Sequence, residues 1–362
     1  MLPGTLAGQF SPDQMEIDLA SLAKRSGARL VVGEVVDIDF DRQEIQLVDG
    51  EPIRFDALSV GVGSIPAGRE TIVADQPQDT PVLVPIKPMQ LFLKRLDTAL
   101  TCLFTKQESD SDEPLRIAIV GGGVASIELA FCLQTRLARS FPTQPVSIEI
   151  VCSDREIAKE LLPSTRHKLQ SLLRKRFIHI EPNFRVEYLR EGKIVAQSAT
   201  SQSAGVQSAG VQSVGVQSTK ERAADLVLWA TGAAPSPLVS QFDLPHAQDG
   251  FLATDRSLQS TSGRPVFVVG DSGTIESDPC PKAGVYAVRQ APVLWNNLKA
   301  ILANQPLMDF NPQSNFLKLL NTGDSRALME YRGWSFHARW CWWLKCWIDR
   351  QFIREYQSEH HR

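Results

Sequence analysis

One stretch constrains this chain more than any other. An apolar strand, LRIAIV (115–120), runs into three consecutive glycines. These open a helical segment, GGGVASIELAFCLQTRLAR (121–139), and a second apolar strand follows, VSIEIVC (146–152). Two such strands joined through a helix are parallel, and parallel sheets are covered by helices, so the stretch predicts an α/β fold. Its small residues are spaced as in a dinucleotide loop, at Gly121, Gly123 and Ser126. Gly121 permits the tight turn, and Gly123 lets a pyrophosphate approach the backbone. The helix N-terminus behind them offers unpaired N–H groups and the positive end of a dipole. Ser126 stands where Gly or Ala is usual and still allows fairly close helix–strand packing. Gly121, Gly122, Gly123 and Ser126 are therefore the expected nucleotide-binding residues. The rival reading is a glycine-rich turn without a ligand. The ribose end falls near Cys152-Ser153-Asp154-Arg155. There Asp154 could accept from a 2′-hydroxyl, and Arg155 could favour a 2′-phosphate. NADH and NADPH both stay open.

Upstream, residues 13–26 predict a helix with Asp13 as its cap. Residues 28–60 alternate apolar and polar around two turn signals and predict a β-meander, closed by the Gly/Pro loop GVGSIP (61–66). Residues 86–106 predict another helix, and QESDSDEP (107–114) a polar linker. Downstream, a helix is expected over 164–176 and short strands over 177–197. Three tandem pentamers, SAGVQ, SAGVQ and SVGVQ (203–217), then interrupt the chain as a solvated hairpin tip would. DLVLWATG (225–232) and RPVFVVGDSG (264–273) predict two more buried strands. A helix over 282–303 and a Trp-rich amphipathic tail complete the pattern.

Composition removes several classes. With 362 residues, 43% hydrophobic and 22% charged, the chain has material for two cores or one large one, and its bulk is not disordered. A net charge of −3 argues against a nucleic-acid partner. The longest apolar run, from Ile117 to Leu133, contains Glu128 and the three glycines, so it is a poor membrane span. The first residues, MLPGTLAGQF, lack the pattern of a secretory signal. Six cysteines (Cys102, Cys132, Cys152, Cys280, Cys341 and Cys346) form no C-x-x-C pair, which predicts a reduced, cytoplasmic protein. Helical geometry puts Cys341 and Cys346 on different faces. His167, His179, His246 and His337 are isolated, so neither a metal site nor a catalytic triad is expected.

Five motifs stand in one order: FDALSVGVGSIP (55–66), IAIVGGGVASIELA (117–130), ADLVLWATGAAPSP (224–237), VFVVGDSG (266–273) and PKAGVYAVRQAPVLWNNL (281–298). This order resembles the flavin-dependent pyridine-nucleotide oxidoreductases, especially the type II NADH dehydrogenase group. The likeness is stronger still to the flavoprotein module fused to selenide, water dikinase. MLPGTLAG, PKAGVYAVRQ and FNPQSNFLKLLNTGDSRALMEYRGWSFHARW carry that part of it. The resemblance covers the chain except the 197–219 insert.

It implies two Rossmann-like domains that bind FAD and NAD(P)H, plus a small helical C-terminal segment. The expected divisions are a partial FAD-binding domain at 1–112, an NAD(P)-binding domain at 113–232, an FAD-binding continuation at 233–305 and the Trp-rich segment at 306–362. The Gly121–Ser126 loop would hold the nicotinamide nucleotide, with Glu128 near the nicotinamide and Thr231-Gly232 where the chain leaves that domain. Gly270-Asp271 would bring a carboxylate to the ribityl hydroxyls of FAD. Lys282, Ala283 and Gly284 would open a helix aimed at the flavin pyrimidine edge, where its dipole stabilises negative charge on reduced flavin. Glu128 and Lys282 are the catalytic candidates. Gly61, Gly63 and Pro66 would form the crossing loop beside FAD. The implied reaction passes hydride from NAD(P)H to flavin and electrons to an acceptor such as a quinone. Blander readings stand alongside: a solvated helix charge for Glu128, and plain strand-ending turns for Thr231-Gly232 and Gly270-Asp271.

The family carries a first strand–GxGxxG–helix unit for the ADP half of FAD, and this sequence has none. An N-terminally truncated chain is therefore expected, with VFVVGD losing a pairing neighbour and exposing an edge. The alternative is a non-catalytic nucleotide-binding or interaction module serving selenophosphate synthesis. Five of the seven tryptophans lie within Trp334–Trp347. Trp340, Trp343, Leu344 and Trp347 form one helical stripe, continued by Phe352, among Arg339, Lys345, Arg350 and Arg354. Residues 334–352 thus suit a peripheral contact on the inner face of a membrane. The rival is a closing helix packed on the domain.

Overall fold

The computed structural model describes residues 2–69, 72–74, 81–106, 113–197, 219–313 and 316–357. The chain forms two compact units, each assembled from separated segments. Unit 1 comprises Met1–Ile17, Gly68–Gly232 and Leu317–Arg362; unit 2 comprises Asp18–Ala67 and Ala233–Phe316. These units are drawn differently from the four successive segments expected from the sequence. Much of 1–112 and the whole C-terminal block belong with the dinucleotide unit.

Unit 1 is built on a five-stranded parallel sheet in the order His179–Glu181, Val146–Val151, Leu115–Val120, Leu226–Trp229, Val82–Pro85. Strands Leu115–Val120 and Leu226–Trp229 are buried almost throughout, as their continuous apolar runs require. Helices Val124–Ser140, Met89–Lys106 and Pro163–Lys175 contribute Ile127, Leu133, Phe92, Leu96, Leu169 and Leu173 to one core with that sheet. Val120, Val227 and Trp229 pack instead with Leu189, Ile194 and Ala196, from the small sheet formed by Thr219–Ala223, Lys193–Gln197, Tyr188–Arg190 and Val73–Ala74. In that sheet Gln197 faces Thr219 across an antiparallel pair. The pentamer repeats thus lie between two strands of one hairpin; the repeats themselves fall outside the described residues, as does most of the expected 107–114 linker. Arg116 fastens the sheet: its Nε and Nη2 donate to Asp225 at 3.0 and 2.7 Å, and its backbone N–H donates to the same carboxylate at 2.8 Å.

The C-terminal block is not simply helical. Three antiparallel strands, Lys318–Asn321, Ala327–Tyr331 and Trp334–Ala338, precede the terminal helix Arg339–Tyr356. The second hairpin turns at Arg332-Gly333, both with positive φ (46° and 87°), the conformation that suits a two-residue turn between twisted strands.

In unit 2 the meander is partly as expected. Val35–Asp39, Glu44–Leu47 and Ile53–Arg54 pair antiparallel. Leu58–Val60 leaves them and pairs parallel with Val266–Val268. The first helix here is Leu19–Ser26, capped by Asp18, whose Oδ1 accepts from the N–H groups of Ala20 and Ser21. Asp13 sits earlier, in a 3-10 turn of unit 1, and caps nothing in that helix. Strand Val266–Val268 is fully buried and is not an edge. Opposite Leu58–Val60, Val268 N donates to Leu258 O and Ser260 N donates to Val266 O. Among the described residues the unpaired side belongs to Leu58–Val60. Helix Gly284–Leu302 packs Tyr286, Leu294 and Leu298 with Phe267, Ile275 and Phe310.

Candidate functional site

In unit 1 the glycine loop joins the end of Leu115–Val120 to helix Val124–Ser140. Gly121 has φ +136°, and its N–H donates to Val151 O at 2.9 Å. A Cβ there would stand 2.3 Å from Ala230 O and 2.7 Å from Ser126 Oγ, so only glycine fits. Ser126 is fully buried and donates its hydroxyl to Ala230 O at 3.0 Å, pinning the helix to the chain just after Leu226–Trp229. The serine therefore adds a bond where a smaller residue would only pack. Gly122 O accepts from Ala158 N at 2.7 Å, and a Cβ on Gly122 would crowd Cys152 Cβ at 2.9 Å. Gly123 is the exposed N-cap residue and has no side chain with which to cap. Thr231-Gly232 follows Leu226–Trp229 at the surface of the same unit.

Three residues that the sequence reading did not single out, or read otherwise, shape this region. Val124 N donates to Glu160 Oε1 at 2.7 Å, so a carboxylate occupies the first amide of the nucleotide helix. Nothing local marks Glu160 for this role, because its partner lies 36 residues away. Cys152, immediately after the second strand, is buried, and burial pushes its thiol pKa up. Glu128 is not a solvated helix charge. Its Oε1 accepts from Asn321 N at 2.7 Å and lies 3.9 Å from Lys345 Nζ, which is 3.6 Å from Asp349 Oδ2. Burial alone would lower the Lys345 pKa, but Glu128 and Asp349 outweigh it and hold the ammonium above its ordinary value. Glu128 thus ties the nucleotide helix to the C-terminal strands and helix of the same unit.

In unit 2 the structure brings the 61–66 loop and Gly270-Asp271 together. Gly63 has φ +77°, and its N–H donates to Ser272 Oγ at 2.8 Å. Ser64 Oγ donates to Asp271 Oδ2 at 2.8 Å. Gly61 precedes this contact, and Pro66 pairs with Ala233 across two short antiparallel strands. Gly270 has φ +62°, and its N–H donates to Gln290 Oε1 at 2.6 Å. Asp271 lies in the turn Gly270–Ser272, which Val269 alone separates from the buried strand. Ala283 is the N-cap and Gly284 the first residue of helix Gly284–Leu302. A shallow hollow is lined by Gly270, Asp271, Lys282, Ala283, Tyr286 and Gln290, among others. Lys282 is engaged inside the unit: Nζ donates to Gly273 O at 2.5 Å and Thr274 Oγ1 at 2.7 Å, 3.9 Å from the centre of the Phe251 ring. Burial lowers its pKa against the opposing charges of Asp249 and Asp271. The ammonium serves as a local brace.

These residues fit the flavin-ring and ribityl end of FAD: a carboxylate, a helix N-terminus and bare glycine backbone converge on one hollow. A strand–glycine–helix unit for the adenosine end does not occur among the described residues of unit 2.

The model of the pyridine nucleotide-disulphide oxidoreductase family matches residues 7–291. The chain belongs to that family. The chain is 27% identical over 314 residues to demethylphylloquinone reductase NdbB of a Synechocystis species, covering 83% of this chain and 69% of that protein. It is 22% identical over 323 residues to the type II NADH:quinone oxidoreductase of Staphylococcus saprophyticus, covering 84% and 72%. Two solved structures share the fold with TM-scores of 0.75 at 15% identity. They are the sulfide:quinone oxidoreductase of Aquifex aeolicus (98% of this chain, 81% of that one) and NDH2 of Plasmodium falciparum in complex with NADH (99% and 87%). The chain is thus a member of an NAD(P)H-oxidoreductase flavoenzyme family with a two-Rossmann-like α/β fold. All six cysteines of this member are free. Cys341 and Cys346 are both buried, although they lie apart around the helix.

Proposed function

We propose that the chain is an FAD-dependent NAD(P)H:quinone oxidoreductase. The observation that carries this reading is the Gly121–Ser126 loop. It is a turn only glycine can make, opening a helix at the exposed N-cap Gly123, where the first amide already holds an anionic group, the Glu160 carboxylate. That geometry binds a pyrophosphate. The family and the quinone reductases among its relatives support the choice of reaction.

In this reading the loop amides hold the pyrophosphate of NAD(P)H, and the Ser126–Ala230 bond keeps the helix N-terminus in place. Asp271 accepts from ribityl hydroxyls, and the N-terminus of helix Gly284–Leu302 opposes negative charge on the pyrimidine edge. FAD, when bound, supplies the hydride acceptor and relays electrons onward. Glu128 and Lys282 hold their elements in place through half-buried bonds.

The acceptor side of the reading rests on the C-terminal block. Among the described residues no helix is long and apolar enough to cross a membrane. One face of helix Arg339–Tyr356 packs inward through Cys341, Cys346 and Ile353. The other leaves Trp343 63% and Trp347 64% exposed, too much aromatic surface for a merely solvated helix. Trp334 stacks on Phe336 at 6.3 Å, and Phe336 meets Trp340 at 5.9 Å, so the patch continues onto the hairpin. We read it as a peripheral membrane contact, where an apolar quinone is found.

The test is turnover. The full chain, supplied with FAD, is expected to oxidise NAD(P)H only when a quinone such as menadione is added. Nucleotide binding without quinone-dependent oxidation would overturn the reading.

A further inference from the structure

The loop that follows the second strand of the dinucleotide unit bears on which nucleotide the site accepts. The strand ends at Val151. In dinucleotide folds, a carboxylate near this point accepts from the ribose hydroxyls, or an arginine accommodates a 2′-phosphate. Here the next side chain is Cys152. It is 2% exposed, and its thiol donates to Asp154 O at 3.2 Å. A thiol turned inward offers the ribose no acceptor.

Five charged side chains follow, and four are committed. Asp154 Oδ1 is 2.8 Å from Lys159 Nζ, so the nearest carboxylate is already neutralised. Glu156 pairs with Arg166. Glu160 takes the Val124 N–H. Arg155 is exposed, and its side chain forms no ion pair or hydrogen bond among the described residues.

We infer that Arg155 makes this protein select the 2′-phosphorylated dinucleotide, NADPH, over NADH. The inference rests on the reading of Gly121–Ser126 as the dinucleotide loop. A free guanidinium matches the oxygens of a phosphate monoester in pairs, whereas a ribose diol needs an acceptor that arginine cannot supply. Lys159 adds positive charge to the same loop and offsets Asp154, which would otherwise repel the phosphate. The preference is electrostatic and therefore weakens with salt.

The test is calorimetric titration of the full chain with NADPH and with NADH, at low and high ionic strength. Competition by 2′-AMP and 5′-AMP isolates the ribose end. The expected result is NADPH binding about tenfold tighter than NADH, the size of one charge-assisted hydrogen-bond pair. Arg155→Ala, an exposed change that leaves the core untouched, is expected to abolish that ratio by weakening NADPH alone. Arg155→Lys should restore part of it. Equal binding of the two nucleotides by the unaltered chain overturns the inference while leaving the dinucleotide reading intact. So does an Arg155→Ala loss shared equally by NADH. Binding of neither nucleotide overturns both.

Discussion

The backbone N–H of Val124 donates to Glu160 Oε1 at 2.7 Å, so the helix that should meet a pyrophosphate already meets a carboxylate. On the proposed reading a dinucleotide displaces that side chain, because two anions cannot share one amide. Glu160→Gln removes the competing charge, and Glu160→Ala removes the competitor. The expected outcome is nucleotide affinity raised several-fold, with the helix losing about 0.5–1 kcal/mol of capping stability. Titration with NADPH beside urea denaturation separates the two effects. An unchanged or weakened affinity would count against displacement.

Gly121 and Gly192 make a controlled comparison. Both have positive φ, +136° and +67°, but a Cβ on Gly121 would stand 2.3 Å from Ala230 O, whereas Gly192 has open space. Gly192→Ala should cost about 1 kcal/mol, from backbone strain alone. Gly121→Ala should cost about 2–4 kcal/mol and abolish nucleotide binding, since the loop must move. Equal losses in chemical denaturation would refute the steric argument.

Glu330 should make unit 1 sensitive to acid. Burial would raise its pKa, but the Lys318 ammonium at 2.9 Å and the Leu162 N–H at 2.8 Å outweigh burial and hold it below its ordinary value of 4.5. A carboxyl depressed on folding contributes stability that is present above its unfolded pKa and lost as pH falls through the folded one. Thermal melts are therefore expected to be flat from neutrality to about pH 5 and to fall below about pH 4. Glu330→Gln should lower the neutral plateau and flatten the acid limb. An acid limb unchanged by the substitution would assign the effect elsewhere.

The aromatic face of helix Arg339–Tyr356 can be probed without touching its packed side. Trp343→Ser with Trp347→Ser removes two side chains that are each more than 60% exposed. The fold should survive within about 0.5 kcal/mol. Co-sedimentation with anionic liposomes should fall about tenfold or more, at roughly 1.5 kcal/mol or above for the two rings. Sedimentation equal to that of the unaltered chain would exclude this face as the contact.

Much of unit 1 was legible because its signals are local. The strand Leu115–Val120, the helix opening at Val124 and the strand Val146–Val151 match the apolar runs and the glycines between them. The C-terminal block was read as helical because its tryptophans recur at helical spacing. The hairpin before them, turned by Arg332-Gly333, has alternation too short to stand out. In unit 2, VFVVGD was identified as a strand, but its neighbours were not. Its pairing with Leu258–Ser260 depends on a turn whose bonds join residues that the sequence does not distinguish.

By itself the sequence determined that a parallel α/β core is built around a glycine loop, because apolar periodicity and glycine placement act within a few residues. Only the tertiary structure decided what surrounds that loop. Ala230 O makes Gly121 irreplaceable, Glu160 occupies the first helix amide, and Lys159 neutralises Asp154 while Arg155 stays free. It also decided that Glu128 faces Asn321 and Lys345. Such contacts join residues far apart in the chain, and their energies depend on distance and burial, which appear only once the core has closed.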